Sequence, residues 1–341
     1  MRINSMLLIW VICLALGPGV VNAAPLQICV TVPELGSLVR TIGGDDVEVR
    51  TFAKGTEDAH FVEAKPSFIK ALSKADMFVQ AGLDLEVGWV PVLLQNARNA
   101  AVLPGGIGFV DASAAVKPLD VANGSVDRSM GDVHVHGNPH YLLDPVNGWR
   151  VASLLRDALI RLHPEGRVGF ESRFLSFERS LAELLVGERL VSGLGAAEVL
   201  SALDRGQLAG ELREGDVLGG WMAQMEPLRG TRVAVDHGLW RYFLARFGLE
   251  QGGSLEPKPG VEPSTKHLEQ FIAQILREEI PLFLATSYYD PRHAKFVADR
   301  TGIKIVEMAH QVGSRPGTEE YLQMLEFNVR AIVQGIKYVQ P

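Results

Sequence analysis

The sequence predicts an α/β protein of two lobes, each built on a mostly parallel sheet, with a long helix connecting them. Three features predict it. From Leu26 to Asp111, short apolar runs alternate with helical stretches, the pattern of βαβ units. The same alternation returns from Thr231 towards the C-terminus. Between the two halves, Val168, Phe170, Phe174, Phe177, Leu181, Leu184 and Leu185 recur at helical spacing. No period short enough for a solenoid is present.

The first half reads in order. A strand-like run from Leu26 to Val32 leads to a helix opened by Pro33-Glu34. A second strand (Val47 to Ala53) is followed by a loop containing His60 and a helix from Pro66-Ser67. A third strand (Asp76 to Ala81), a helix (Glu86 to Ala97) and a fourth strand (Ile107 to Asp111) complete the lobe. Pro118 to Pro139 is rich in Gly, Asn, Ser and Asp and reads as a loop. Asp144-Pro145 then opens a helical stretch, because Asp caps free N–H groups and Pro suits the first helical position. That stretch breaks near His163-Pro164-Glu165-Gly166 and resumes to about Leu190. Gly193 to Gly220 is an extra segment without an assigned role.

In the second half, strands are expected at Thr231 to Val235, Pro281 to Ala285 and Gly302 to Val306. Helices are expected at Leu239 to Phe247, Ser264 to Glu279, Arg292 to Thr301 and Thr318 to Gly335, with Ser264 as an N-cap. The division is therefore residues 1–23 as a leader, 24–144 as the first lobe, 145–190 as the helical connection, 191–220 as the extra segment and 221–341 as the second lobe.

The leader follows from one charge, Arg2, an apolar run from Met6 to about Val21, and Val21-Asn22-Ala23 before Ala24. This is the layout of a secretory signal peptide cleaved after Ala23. The run is short for a membrane span of about 20 residues and holds Gly17, Pro18 and Gly19. Cys13 follows Ile12 rather than a small residue, which disfavours a lipoprotein anchor, so a soluble periplasmic chain is expected. Cleavage leaves Cys29 alone in an apolar run, where a cysteine acts as a small buried hydrophobe. The net charge of −7 argues against nucleic acid as a partner.

The nine histidines carry the functional signal. His60 follows the second strand, His237 follows Thr231 to Val235, and His310 follows Ile303 to Ala309. Ligands of open parallel sheets bind beyond the carboxyl ends of strands. His140, fixed just ahead of the Asp144-Pro145 helix start, adds a fourth imidazole able to meet the others between the lobes. Neutral histidine is the commonest metal ligand, so a divalent metal ion is the first hypothesis. His134 and His136 lie in the polar loop, where they collect metal for His140 or are simply solvated. His163, His267 and His293 read as ordinary helix-surface residues.

These residues resemble the metal-binding substrate-binding proteins of ABC transporters that take up zinc or manganese, the cluster A-I or TroA-like family. Gly55 to Ser67, with His60, is similar to the loop bearing that family's first histidine ligand. Asn138-Pro139-His140 through Pro145 is similar to the second, and Asp236-His237 through Leu249 to the third. His134-Val135-His136 resembles a much shortened His-rich loop of the zinc-specific members. At the fourth position the family usually places Asp or Glu and this chain holds His310, with a water or an open position as the alternative. The resemblance implies a monomeric binding protein, not an enzyme, that passes its ion to an inner-membrane ABC permease.

The ligand set His60, His140, His237 and His310 favours Zn2+, because imidazoles suit zinc, copper and nickel whereas manganese prefers carboxylate oxygens. Mn2+, Cu2+ and Ni2+ rank below it. Glu57, Asp58 and Asp236 are candidates to hold the second nitrogen of a ligand ring. Two rivals to transport are a secreted zinc hydrolase, which lacks the H-E-x-x-H motif here, and a metal-stabilised adhesin.

Overall fold

The computed structural model describes residues 24–122, 134–213, 215–257 and 261–337. The expected signal peptide (1–23), with Cys13, lies outside them, as do parts of the loops at 118–139 and 257–263. Among the described residues no helix is long and apolar enough to cross a membrane.

Two four-stranded parallel sheets organise the chain. In the first, β1 (Leu26–Val30), β2 (Val47–Thr51), β3 (Met77–Gln80) and β4 (Phe109–Asp111) lie in the order β2-β1-β3-β4. Helices α1 (Pro33–Gly43), α2 (Pro66–Leu72) and α3 (Val90–Ala97) connect them. Each of these helices opens on a proline in its first turn, where no N–H is needed. In the second sheet, β5 (Arg232–Val235), β6 (Glu250–Ser254), β7 (Leu282–Ala285) and β8 (Lys304–Glu307) repeat that arrangement as β6-β5-β7-β8. Both sheets therefore direct their strand carboxyl ends towards loops that bear the predicted ligands.

The connection is a pair of packed helices. α4 (Pro145–Leu162) begins where expected, with the Asp144 carboxylate accepting from the Val146 N–H at 2.9 Å. α5 (Arg167–Val186) is the long connecting helix: its twenty residues span about 30 Å. It packs on α1 in the first lobe and on α9 (Gly220–Met225), which leads into β5. The extra segment forms α6 (Glu188–Leu194), α7 (Ala196–Arg205) and α8 (Leu208–Glu211), and α6 and α7 fold back along α5. Val199, Leu200, Ala202 and Leu203 are buried there, so this segment buttresses the connecting helix. In the second lobe, α10 (Arg241–Phe247), α11 (Thr265–Arg277), α12 (Pro291–Thr301) and α13 (Tyr321–Lys337) complete the layers. Ser264 caps α11 as expected, accepting from the His267 N–H at 3.2 Å.

One apolar core runs through both lobes and the connection, from Ile28 and Leu35 through Phe170 and Leu181 to Tyr321 and Ile332. Each fully buried Leu or Phe contributes about 1.5–3 kcal/mol, so the lobes are joined by packing rather than by a bare linker. Polar ties reinforce it. Arg246 of α10 forms a two-pronged ion pair with Asp144 at 2.7 and 2.8 Å. Ser37 of α1 donates to Glu320 at 2.6 Å and accepts from the Tyr321 N–H at 2.9 Å.

The structure departs from the sequence expectation at two elements. β6 was not expected, because Gly252 and Gly253 give its sequence little strand character. Glycine is required there by close packing: a Cβ on Gly253 would meet the Phe271 ring at 2.9 Å, and its φ is +159°. The helix expected from Glu86 begins only at Val90, because Gly82, Leu83 and Asp84 turn through positive φ and delay it.

Candidate metal centre

His60 is placed by a short 3-10 turn, Ala59–Phe61, that follows β2. Asp58 caps this turn by accepting from the His60 N–H at 3.0 Å, and the same oxygen lies 2.6 Å from His60 Nδ1. The Trp89 indole N–H, donated to the Ala59 carbonyl at 3.0 Å, fixes the turn from behind. A carboxylate can only accept, so His60 Nδ1 carries the proton and Nε2 presents a lone pair. Burial, the largest single influence, would raise the Asp58 pKa, but the hydrogen bonds and charge of His60 together with the nearby His237 outweigh it and hold it below the ordinary value.

His237 is built in the same way from the other lobe. It follows β5, and its Nδ1 lies 2.7 Å from the Glu256 carboxylate, which stands just past the end of β6. His140 sits ahead of a 3-10 turn (Tyr141–Leu143) and α4, with its N–H donated to Asn138 Oδ1 at 3.0 Å. Its Nε2 is buried without a hydrogen-bond partner among the described residues. Burial first, then the neighbouring imidazoles, pushes the His140 pKa well below the ordinary value.

The structure brings His60, His140 and His237 together and adds His134. Ring centroids lie 5.1 Å apart for His60–His134, 5.4 Å for His60–His140, 5.9 Å for His140–His237 and 6.4 Å for His60–His237. His134 Nε2 is 3.0 Å from His60 Nε2, and since His60 carries its proton on Nδ1, the proton between the two nitrogens belongs to His134. Burial and the adjacent His60 lower the His134 pKa to about 4. His134, His140 and His237 also line a cleft cavity of about 530 Å³. Four imidazoles on a tetrahedral zinc, with Zn–N of 2.0–2.1 Å, have ring centroids about 5 Å apart. The cluster is somewhat more open than that. Among the described residues no group of three or more His, Cys, Asp or Glu stands ready-made to hold an ion, so the rings must draw in when one binds.

His310 makes no ring contact with these four among the described residues. Its ring packs edge-on against Tyr288 at 4.7 Å, its only ring neighbour among the described residues, and its Nδ1 faces Ser287 Oγ at 3.3 Å. Burial lowers its pKa to about 4, and its Nε2 has no hydrogen-bond partner among the described residues. It borders a small cavity shared with His140 and the buried Glu34. His136 does not join the four rings; it is largely exposed and pairs with Asp84 at 2.8 Å. Of the three acids expected to orient ligand rings, only Asp58 touches one. Glu57 instead pairs with Lys54 at 3.2 Å. Asp236, fully buried, accepts from the Thr286 N–H and hydroxyl and from the His237 N–H. Glu256 was missed because it follows the unexpected β6. Among the remaining histidines, His267 stacks on Phe271 and faces the Ser254 carbonyl at 3.0 Å rather than solvent.

Rings donated by two lobes to one cleft, each oriented from behind by a carboxylate or a helix start, define a metal-ion-binding protein of the two-lobed substrate-binding class. The sequence matches the family described as "ZnuA: Zinc-uptake complex component A periplasmic" over residues 28–186 and 216–335. The chain belongs to this family. It is 20% identical to the manganese ABC transporter substrate-binding lipoprotein PsaA of Streptococcus pneumoniae, over 91% of this chain and 89% of that protein. Its fold matches a crystal structure of ZnuA with a TM-score of 0.66, 22% identity and coverage of 93% of this chain and 100% of the other. It also matches the substrate-binding protein FpvC of P. aeruginosa, determined with Ni2+, with a TM-score of 0.67, 20% identity and coverage of 93% and 98%.

Proposed function

We propose that this protein captures a zinc ion in the periplasm and delivers it to an inner-membrane ABC permease, acting as a monomer after removal of residues 1–23. The observation that carries this reading is the all-imidazole cluster of His60, His134, His140 and His237, with no carboxylate in its inner ring among the described residues. Nitrogen donors favour zinc over manganese, and the positions that orient His60 and His237 leave both Nε2 atoms facing the cleft. Copper and nickel share the donor preference; their lower availability leaves zinc as the cargo. In this reading His134, not His310, supplies the fourth nitrogen. The loop that carries it becomes part of the grip rather than a collector upstream of it.

The mechanism follows from the donor accounting. To offer Nε2 to a cation, neutral His134 moves its proton from Nε2 to Nδ1 through solvent, so the ring stays neutral and no net proton is lost. Asp58 and Glu256 accept the Nδ1 protons of His60 and His237, raising the basicity of the facing nitrogens. The test is metal content and calorimetric titration of the purified protein. One zinc per chain is expected, with manganese unable to displace it. His134→Ala should weaken zinc binding by more than the 10–100-fold typical of an outer partner, and His310→Ala should weaken it much less. The reverse order would place the fourth ligand at His310.

A further inference from the structure

His134 is brought to the cleft by two short arms of chain, residues 117–122 and 134–138, which pair with each other. Asn138 N–H donates to the Leu119 carbonyl at 2.8 Å, and Ala122 N–H to the Val135 carbonyl at 3.4 Å. On the second-lobe side this strap is well tied. The Tyr242 hydroxyl donates to the Asn138 carbonyl at 2.9 Å and accepts from the Leu119 N–H at 2.8 Å. The Asn138 amide donates to the Gly238 carbonyl at 2.9 Å, and Arg241 pairs with Asp120 at 3.2 Å. On the first-lobe side, apart from the His134–His60 contact itself, the side-chain tie among the described residues is the pair His136–Asp84, at 2.8 Å.

Asp84 is held for that task by an unusual piece of backbone. Gly82, Leu83 and Asp84 have φ of +78°, +52° and +66°, a left-handed run that costs side-chain-bearing residues free energy. Buried Glu86 fixes it, accepting from the Ala81 N–H at 2.7 Å and the Gly82 N–H at 3.0 Å while the Thr31 hydroxyl donates to it at 2.6 Å. The turn thus projects a carboxylate from the rim of the first lobe directly to His136, two residues from His134.

We propose that Asp84 is a positioning residue for metal binding: by holding His136 it seats the strap on the first lobe and keeps His134 against His60, and opening this latch sets how fast the ion leaves. The inference rests on the reading of His134 as a ligand. Asp84 and His136 do not touch the ion; they act through the strap. The pair is 31% and 70% exposed, so its effect is modest, about two- to fivefold in an equilibrium or a rate.

The test is zinc dissociation into excess chelator, followed by stopped flow, for full-length variants whose thermal midpoints match the parent. Asp84→Gly removes the carboxylate and tolerates the positive φ; His136→Leu removes the other half of the pair. Both should speed release by about two- to fivefold, and by the same factor. In a His134→Ala background, neither change should alter the rate. Release at the parent rate from Asp84→Gly and His136→Leu overturns the latch, as does acceleration that persists undiminished without His134. If His134→Ala alone leaves zinc affinity and release unchanged, the ligand reading beneath it fails instead.

Discussion

Replacing Asp144 by alanine tests the coupling between the helix start that positions His140 and the second lobe. Asp144 caps α4 and forms both prongs of the pair with Arg246, whose remaining N–H donates to the Leu203 carbonyl at 2.9 Å. Both side chains are largely buried, at 10% and 15% exposure. Removing one partner of a buried pair costs about 3–5 kcal/mol, because the other charge is left without compensation. Loss of the cap adds about 1 kcal/mol. With an unfolding entropy of about 2.1 cal/mol/K per residue, a combined loss of about 5 kcal/mol lowers the midpoint of a chain this long by about 7 °C. Calorimetry of the metal-free protein reads this directly. Pairing Asp144→Ala with Arg246→Met should recover most of the loss, since no charge is then stranded. If Asp144→Ala melts within a degree of the parent, or if the double variant is worse than the single, the ion pair does not join the lobes as described.

Two further outcomes follow from the site. His134 and His310 have folded pKa values of about 4 against an ordinary 6.5, so stability from their neutral burial is complete above pH 6.5 and lost as pH falls towards 4. At pH 5 each should cost about 2 kcal/mol, and the metal-free midpoint should drop clearly between pH 7 and 5; a flat profile there would show the rings are not buried neutral. Gly253→Ala should destabilise by about 1–3 kcal/mol through overpacking against Phe271. Because β6 carries Glu256 to His237, it should also weaken zinc binding in calorimetric titration, and unchanged affinity would separate β6 from the site.

The parts of the structure legible in the sequence were those with local causes. Pro33, Pro66 and Pro145 mark helix starts by chemistry, and the Asp144 and Ser264 caps fall where their side chains demand. His60 and His237 were recognisable because each follows a strand whose apolar run is plain. What the sequence hid depends on contacts distant along the chain. β6 owes its existence to pairing with β5 and to space that only glycine leaves beside Phe271, so neither it nor Glu256 carried a signal. His134 looked too mobile for a rigid role because its anchors, Tyr242 and Gly238, lie about a hundred residues away. His310 stands after β8 as the sequence placed it, its ring edge-on against Tyr288 and bordering the small cavity it shares with His140.

The continuous core through α5 has a thermodynamic consequence for cargo exchange. With both lobes packed on one core, the reshaping that capture demands is confined to the rings and the strap rather than spread over the domains. On the proposed reading, an ion would therefore leave by local opening at the strap and not by hinge motion of the lobes. Whatever unloads this carrier must bring its own ligands or pry the frame locally, and the work of release belongs to the receiver.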